Sequence, residues 1–188
     1  MKYSRAGETV VNIRKATLAD VSSIEALIAA SARSLGLSDY TPTQIEAALL
    51  GAGGVDTEII RDGTYFVGMK VGMEEELVLC GGWSRRATSF GGDSYARRES
   101  RLLDPEREAA RIRAFFVHPG WARRGLASRL LKICEGEAKA AGFPAVELVS
   151  TLPGEPFYAR HGYQPEQRRS YALPGGRDIE FVPMRRLL

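Results

Sequence analysis

The sequence has little that would tie it to a membrane, a metal or a disulfide framework. No apolar run approaches the roughly 20 residues needed to span a bilayer, and the opening stretch MKYSRAGETV has no apolar signal core. The expectation is a protein with no membrane partner, unexported and most simply cytoplasmic. Only 2 cysteines and 2 histidines occur among 188 residues. Cys80 and Cys134 sit in apolar surroundings without a CxxC or a matching histidine spacing, so no metal and no disulfide is expected and both read as core filler. Charge bias is slight too. A net charge of +3 falls short of the continuous basic surface that a nucleic-acid partner calls for. Most arginine doublets (Arg85-Arg86, Arg97-Arg98, Arg168-Arg169, Arg185-Arg186) read as solvated surface. Arg123-Arg124 stands apart because it lies inside a glycine turn.

What is present has the composition of one folded domain, 44% hydrophobic and 26% charged. Past a loose start over residues 1–8, residues 10–14 (VVNIR) alternate as a short strand. Thr17 and Asp20 form a capping box ahead of a helix over about 18–34, whose apolar face recurs at Val21, Ile24, Leu27, Ile28 and Leu35. Thr41, Pro42 and Gln44 start a second helix, which the glycines of 51–54 stop. Residues 64–69 and 77–83 read as an antiparallel hairpin, separated by a turn at Val71-Gly72 and an acidic run at 74–76. Gly81-Gly82 predicts a bulge or a close approach on its second strand. Residues 84–110 form a long irregular segment of the kind that is usually functional, with a weak helical signal at 104–109.

The organising stretch is 112–131, IRAFFVHPGWARRGLASRLL. An apolar strand over 112–117 runs into His118-Pro119-Gly120 and a basic glycine turn, then into a helix over about 124–141 that Gly142 and Pro144 end. A strand–turn–helix junction gathers backbone N–H groups and a positive dipole end at one point, which attracts phosphate. Residues 145–149 add a strand and complete a β–α–β crossover. Pro153-Gly154-Glu155-Pro156 then leads into the short helical turn FYARHG, and a final antiparallel pair at 167–173 and 178–184 turns at Pro174-Gly175-Gly176.

These elements resemble the GNAT superfamily of acyl-CoA-dependent N-acyltransferases. Gly125 and Ala127 match the Gly-x-Gly/Ala of its Gln/Arg-x-x-Gly-x-Gly/Ala signature, with Ala122 where Gln or Arg is commonest. Phe157-Tyr158 and Gly162-Tyr163 match its second mark. The resemblance implies an α/β (α+β) fold: one domain, a mixed central sheet of about six or seven strands, helices on both faces and a splayed central strand pair. It implies that the N–H groups of Arg123, Arg124, Gly125, Leu126, Ala127 and Ser128 hold a coenzyme A pyrophosphate. Phe115, Phe116 and Val117 would pair through their backbone with the pantetheine arm.

By the same resemblance the reaction is acetyl transfer from acetyl-CoA to a small-molecule amine or a protein amino group by direct attack, without a covalent enzyme intermediate. Tyr158 is the expected general acid for the leaving sulfur. Glu147 is the first candidate for the base, although strand alternation leaves open which face it takes. For the acceptor, Trp83, Ser84, Phe90 and Asp93 are the candidate pocket, with Asp56 and Glu58 on its other side. The family's frequent dimers allow a homodimer. A non-catalytic acyl-CoA sensor on the same fold is the competing reading.

Overall fold

The structure is a computed structural model and describes residues 10–51, 53–72, 76–93, 95 and 99–188. The loose start, the acidic positions 74 and 75 and the doublet Arg97-Arg98 lie outside the described residues. One sheet of eight strands organises the chain. β1 (Val11–Lys15), β2 (Tyr65–Lys70), β3 (Glu76–Ser84) and β4 (Ala110–Val117) form an antiparallel half. β5 (Ala145–Thr151), β6 (Gln164–Pro165), β7 (Arg169–Leu173) and β8 (Arg177–Leu187) form the other, with β8 between β5 and β6 and also carrying β7. Two-residue β6 is the strand that takes the sheet past the expected count.

Helices cover both faces. α1 (Val21–Leu35) and α3 (Thr57–Arg61) enclose one apolar core against β2 and β3, through Ile24, Leu27, Ile28, Ile59, Tyr65 and Val67. α4 (Leu126–Ala140) and α5 (Glu155–Arg160) close the larger core on the opposite face with Leu130, Leu131, Cys134 and Tyr158. Both cysteines are free and buried. α2 (Pro42–Gly51) shares a third cluster with Tyr40, Leu173, Ile179 and Phe181. Among the described residues no helix is long and apolar enough to cross a membrane.

The caps behave as their chemistry demands. Asp20 accepts from the Thr17 N–H at 2.8 Å, and the first turn behind Thr17 is a 3-10 turn, so α1 itself begins at Val21. Thr41 and Gln44 cap α2 reciprocally, at 3.0 and 3.3 Å. Gly142 follows α4 with φ 92°, the left-handed C′ conformation. The weak helical signal at 104–109 yields only a single turn. There the Glu108 carboxylate folds back onto the Asp104 N–H and the Arg101 guanidinium, both at 2.8 Å, a local closure that competes with helix propagation. α3 had no sequence signal; its five residues are too few for periodicity, and Asp56 caps it by accepting from the Glu58 N–H at 3.0 Å.

Candidate functional site

Two departures from regular pairing open the site. β4 and β5 run parallel, but only Ala110 and Arg111 pair, with Val146 and Glu147. Beyond that point the strands are no longer laddered, although β4 continues to Val117 and β5 to Thr151. The second departure is a bulge. Cys80 pairs with Phe116 and Gly82 with Arg113, so Ala114 and Phe115 together oppose Gly81 alone. Ala114 takes φ 51°, unusual for a residue with a Cβ, and its carbonyl turns inward to accept from the Tyr65 hydroxyl at 3.0 Å. The paired glycines explain themselves here: a Cβ on Gly81 would come within 2.6 Å of the Phe115 ring, and one on Gly82 within 2.5 Å of the Thr64 carbonyl oxygen.

A buried ion pair holds the bulged segment. Arg113 and Asp56 are each 2% exposed and meet at 3.0 Å. Arg113 also donates to the carbonyls of Thr88 and Gly91, both at 2.7 Å, and so pins the segment between β3 and β4 onto β4. Sequence reading missed this pair, because nothing in a strand's alternation marks an inward arginine whose partner is far away in the chain.

The splay and the bulge border a cavity of about 660 Å³. One end reaches the turn before α4, where Ala122, Arg123 and Ala127 line it, together with Phe115, Phe116 and Val117 of β4. Arg123 (φ 65°) and Gly125 (φ 77°) are both left-handed, which turns the chain sharply into the helix. The Arg129 N–H is the first to find a carbonyl four residues back, Gly125 at 3.1 Å. The N–H groups of Leu126, Ala127 and Ser128 lack such a partner, and no side chain caps them. A Cβ at Gly125 would meet nothing within 4 Å. The result is an open set of donors at a helix N-terminus, a fit for a diphosphate. Arg124 is stacked 4.7 Å over Trp121 and donates to the Gly120 carbonyl at 3.1 Å, so Arg123 is the exposed charge that borders the cavity.

Tyr158 lines the same cavity from α5. Its ring is buried edge-on against Phe115, Phe157 and Tyr163, and burial pushes its phenol well above the ordinary range. It therefore carries its proton at neutral pH.

The other candidates fall elsewhere. Glu147 sits at the closed end of the β4–β5 pair, where Arg111 and Arg185 hold its carboxylate; the flanking cavity residues of β5 are Leu148 to Thr151. Trp83 is buried on the α4 side, donating from Nε1 to Glu137 at 2.9 Å and packing on Phe143. Asp93 accepts from the Thr57 N–H at 3.0 Å at the start of α3, Glu58 pairs with Arg86 at 3.4 Å, and buried Ser84 accepts from the Arg86 N–H. Phe90 does line the cavity. So the turn, β4 and Tyr158 converge, whereas Glu147, Trp83, Asp93, Ser84, Asp56 and Glu58 do not reach it.

A sheet split beside an uncapped helix N-terminus, with a tyrosine between, makes up the site. Residues 102–188 match the acetyltransferase (GNAT) domain family. No curated protein matches the chain by sequence. Among solved structures it is similar to a GCN5-related N-acetyltransferase from Rhodopseudomonas palustris (17% identity, 100% of both chains, TM-score 0.67). It is also similar to the PaiA N-acetyltransferase of Thermoplasma acidophilum in complex with coenzyme A (13% identity, 95% of this chain and 99% of that one, TM-score 0.64). A mosquito arylalkylamine N-acetyltransferase like 5b follows at 12% identity, 95% and 100% coverage and TM-score 0.58. At such identities the likeness is one of fold.

Proposed function

We propose that the protein transfers an acetyl group from acetyl-CoA to a primary amine by direct attack. The observation that carries this is one cavity holding an uncapped α4 N-terminus at one end and Tyr158 beside the opened β4–β5 pair. The N–H groups of residues 126–128 and the Arg123 guanidinium would hold the diphosphate, and the unpaired edge of β4 would accept the pantetheine arm as an added strand. Ala114 and Phe115 at the bulge line the cavity, where the thioester would lie.

In the reaction the amine nitrogen forms a bond to the acyl carbon and the carbon–sulfur bond breaks. Tyr158 delivers its proton to the departing sulfur, and the amine's surplus proton passes to water at the open mouth, from which Tyr158 is reprotonated. Glu147, held by two guanidinium groups away from the cavity, takes no part. The coenzyme-bound relative and the one named for arylalkylamines support the reaction class.

The test is thermal unfolding with acetyl-CoA. At about a hundredfold excess over Kd the midpoint should rise by about 5–10 °C. Ala127→Asp places a carboxylate among the phosphate donors, so its affinity should fall by about 100-fold and the shift at the same ligand concentration should shrink to about 1–2 °C. The free variant should melt normally, because an acidic residue in the first turn suits the helix. No shift for the parent protein would defeat the reading.

A further inference from the structure

We infer that the acceptor is an amine whose nitrogen is carried on a flat apolar group, of the size and shape of a phenyl or indole ring, and not a polyamine. The inference rests on the acetyl-transfer reading and narrows its acceptor. The wall of the cavity away from the coenzyme turn comes from three separate parts of the chain: the α1–α2 region, the segment before β4, and β8. Its surface is mainly aromatic and aliphatic, formed by Ile45, Leu49, Phe90, Ile179 and Phe181, with Ser31, Ser38 and Ser89 among them. The rings form a connected edge-on set. Phe90 lies 5.9 Å from Phe181 and 4.9 Å from Tyr171, and Tyr40 lies 6.4 Å from Phe181.

Aromatic groups meeting edge to face at these separations offer another ring the geometry it prefers. Charge points the same way. Among the described residues the cavity wall carries no carboxylate: its charged groups are Arg123, at the coenzyme end, and Arg113, whose charge is matched by Asp56 at 3.0 Å. A second ammonium would therefore be desolvated with no carboxylate on the described wall to offset the cost. A monoamine avoids this, because its nitrogen reacts in the neutral form and its body rests on the rings.

The experiment measures thiol release from acetyl-CoA with phenethylamine, hexylamine and spermidine as acceptors, alongside calorimetric binding of acetyl-CoA. Phenethylamine should exceed spermidine in kcat/KM by at least about tenfold. Phe90→Ala should raise KM for phenethylamine about tenfold, leave acetyl-CoA affinity unchanged and compress the preference over spermidine, and Phe90→Leu should restore part of it. If spermidine is preferred, or if Phe90→Ala leaves the phenethylamine KM unmoved, the acceptor inference is wrong while the transferase reading stands. If acetyl-CoA does not bind, the transferase reading itself fails. If it binds but no acceptor turns over, titrating phenethylamine into the acetyl-CoA complex decides: the absence of saturable binding overturns the inference, and saturable binding weakened by Phe90→Ala upholds it.

Discussion

The proposed coenzyme side of the cavity is made of backbone, whereas the proposed acceptor side is made of side chains. On the first, the useful groups are the N–H donors of residues 126–128 and the unpaired edge of β4. They follow from a turn with two left-handed residues and from strands that part. On the second, rings and aliphatic groups from distant segments meet, held by a buried ion pair and a few hydrogen bonds. A backbone site tolerates side-chain change as long as the chain keeps its path. A side-chain site changes with each substitution. The same contrast decides how each half responds to mutation.

The largest effect on turnover should come where the halves meet. Tyr158→Phe removes one hydroxyl from a ring that keeps its contacts with Phe115, Phe157 and Tyr163. If that hydroxyl protonates the leaving sulfur, kcat should fall by about 100-fold or more, while acetyl-CoA affinity stays within about twofold. Steady-state thiol release and calorimetry measure the two. Equal turnover would remove Tyr158 from the chemistry and leave the cavity as a binding site whose catalytic groups lie elsewhere.

Next is the anchor of the acceptor side. Arg113→Met takes away the guanidinium that neutralises Asp56 where both are 2% exposed, and it strands the carbonyls of Thr88 and Gly91. Breaking one partner of such a buried pair costs about 3–5 kcal/mol. Urea unfolding should show that loss, and Arg113→Met combined with Asp56→Asn should recover part of it. A loss under about 1 kcal/mol would mean that the pair is not what fixes this wall.

The contrast also explains which features the sequence disclosed. Turn chemistry is local, so the junction at 118–128, the capping boxes at Thr17 and Thr41, the C′ glycine at 142 and the bulge at Gly81-Gly82 all left marks within a few residues. The pairing of β4 with β5 and its early end depend on strands that never touch in sequence, and came only with the family resemblance. Trp83 and Glu147 show the limit of alternation. Alternation tells that neighbours face opposite ways but not which way is the cavity, and the bulge in β4 shifts the register opposite Trp83. The ring cluster around Phe90 joins β7, β8 and the segment before β4, contacts for which no local spacing exists. α3 was too short to leave a period.

The smallest effect tests whether the acceptor side is held at a single atom. The Tyr40 hydroxyl donates to the Glu180 carbonyl at 2.7 Å and accepts from the Leu152 N–H at 2.8 Å. It thus ties the α1–α2 connection both to β8 and to the end of the splayed strand β5. Tyr40→Phe keeps the ring against Phe181 but orphans both backbone groups, a cost of about 1–3 kcal/mol at neutral pH. The pH dependence distinguishes this from general loosening. Burial pushes the Tyr40 phenol up to about 12, whereas in the unfolded chain it ionises near 10. The stabilisation that comes with this shift is complete below about pH 10 and is lost as pH rises toward 12, because the unfolded chain releases its proton first. Phenylalanine has no proton to release. The stability gap between the two proteins should therefore narrow as pH rises from 10 toward 12, by up to about 1.4 kcal/mol per pH unit. Tyr65, Tyr158 and Tyr163, which burial also raises, contribute equally to both proteins and cancel in the difference. Urea unfolding at pH 8 and pH 11 measures the gap. A gap that stays constant would show that the hydroxyl's proton is not what the fold protects, and that the wall is held by ring packing alone.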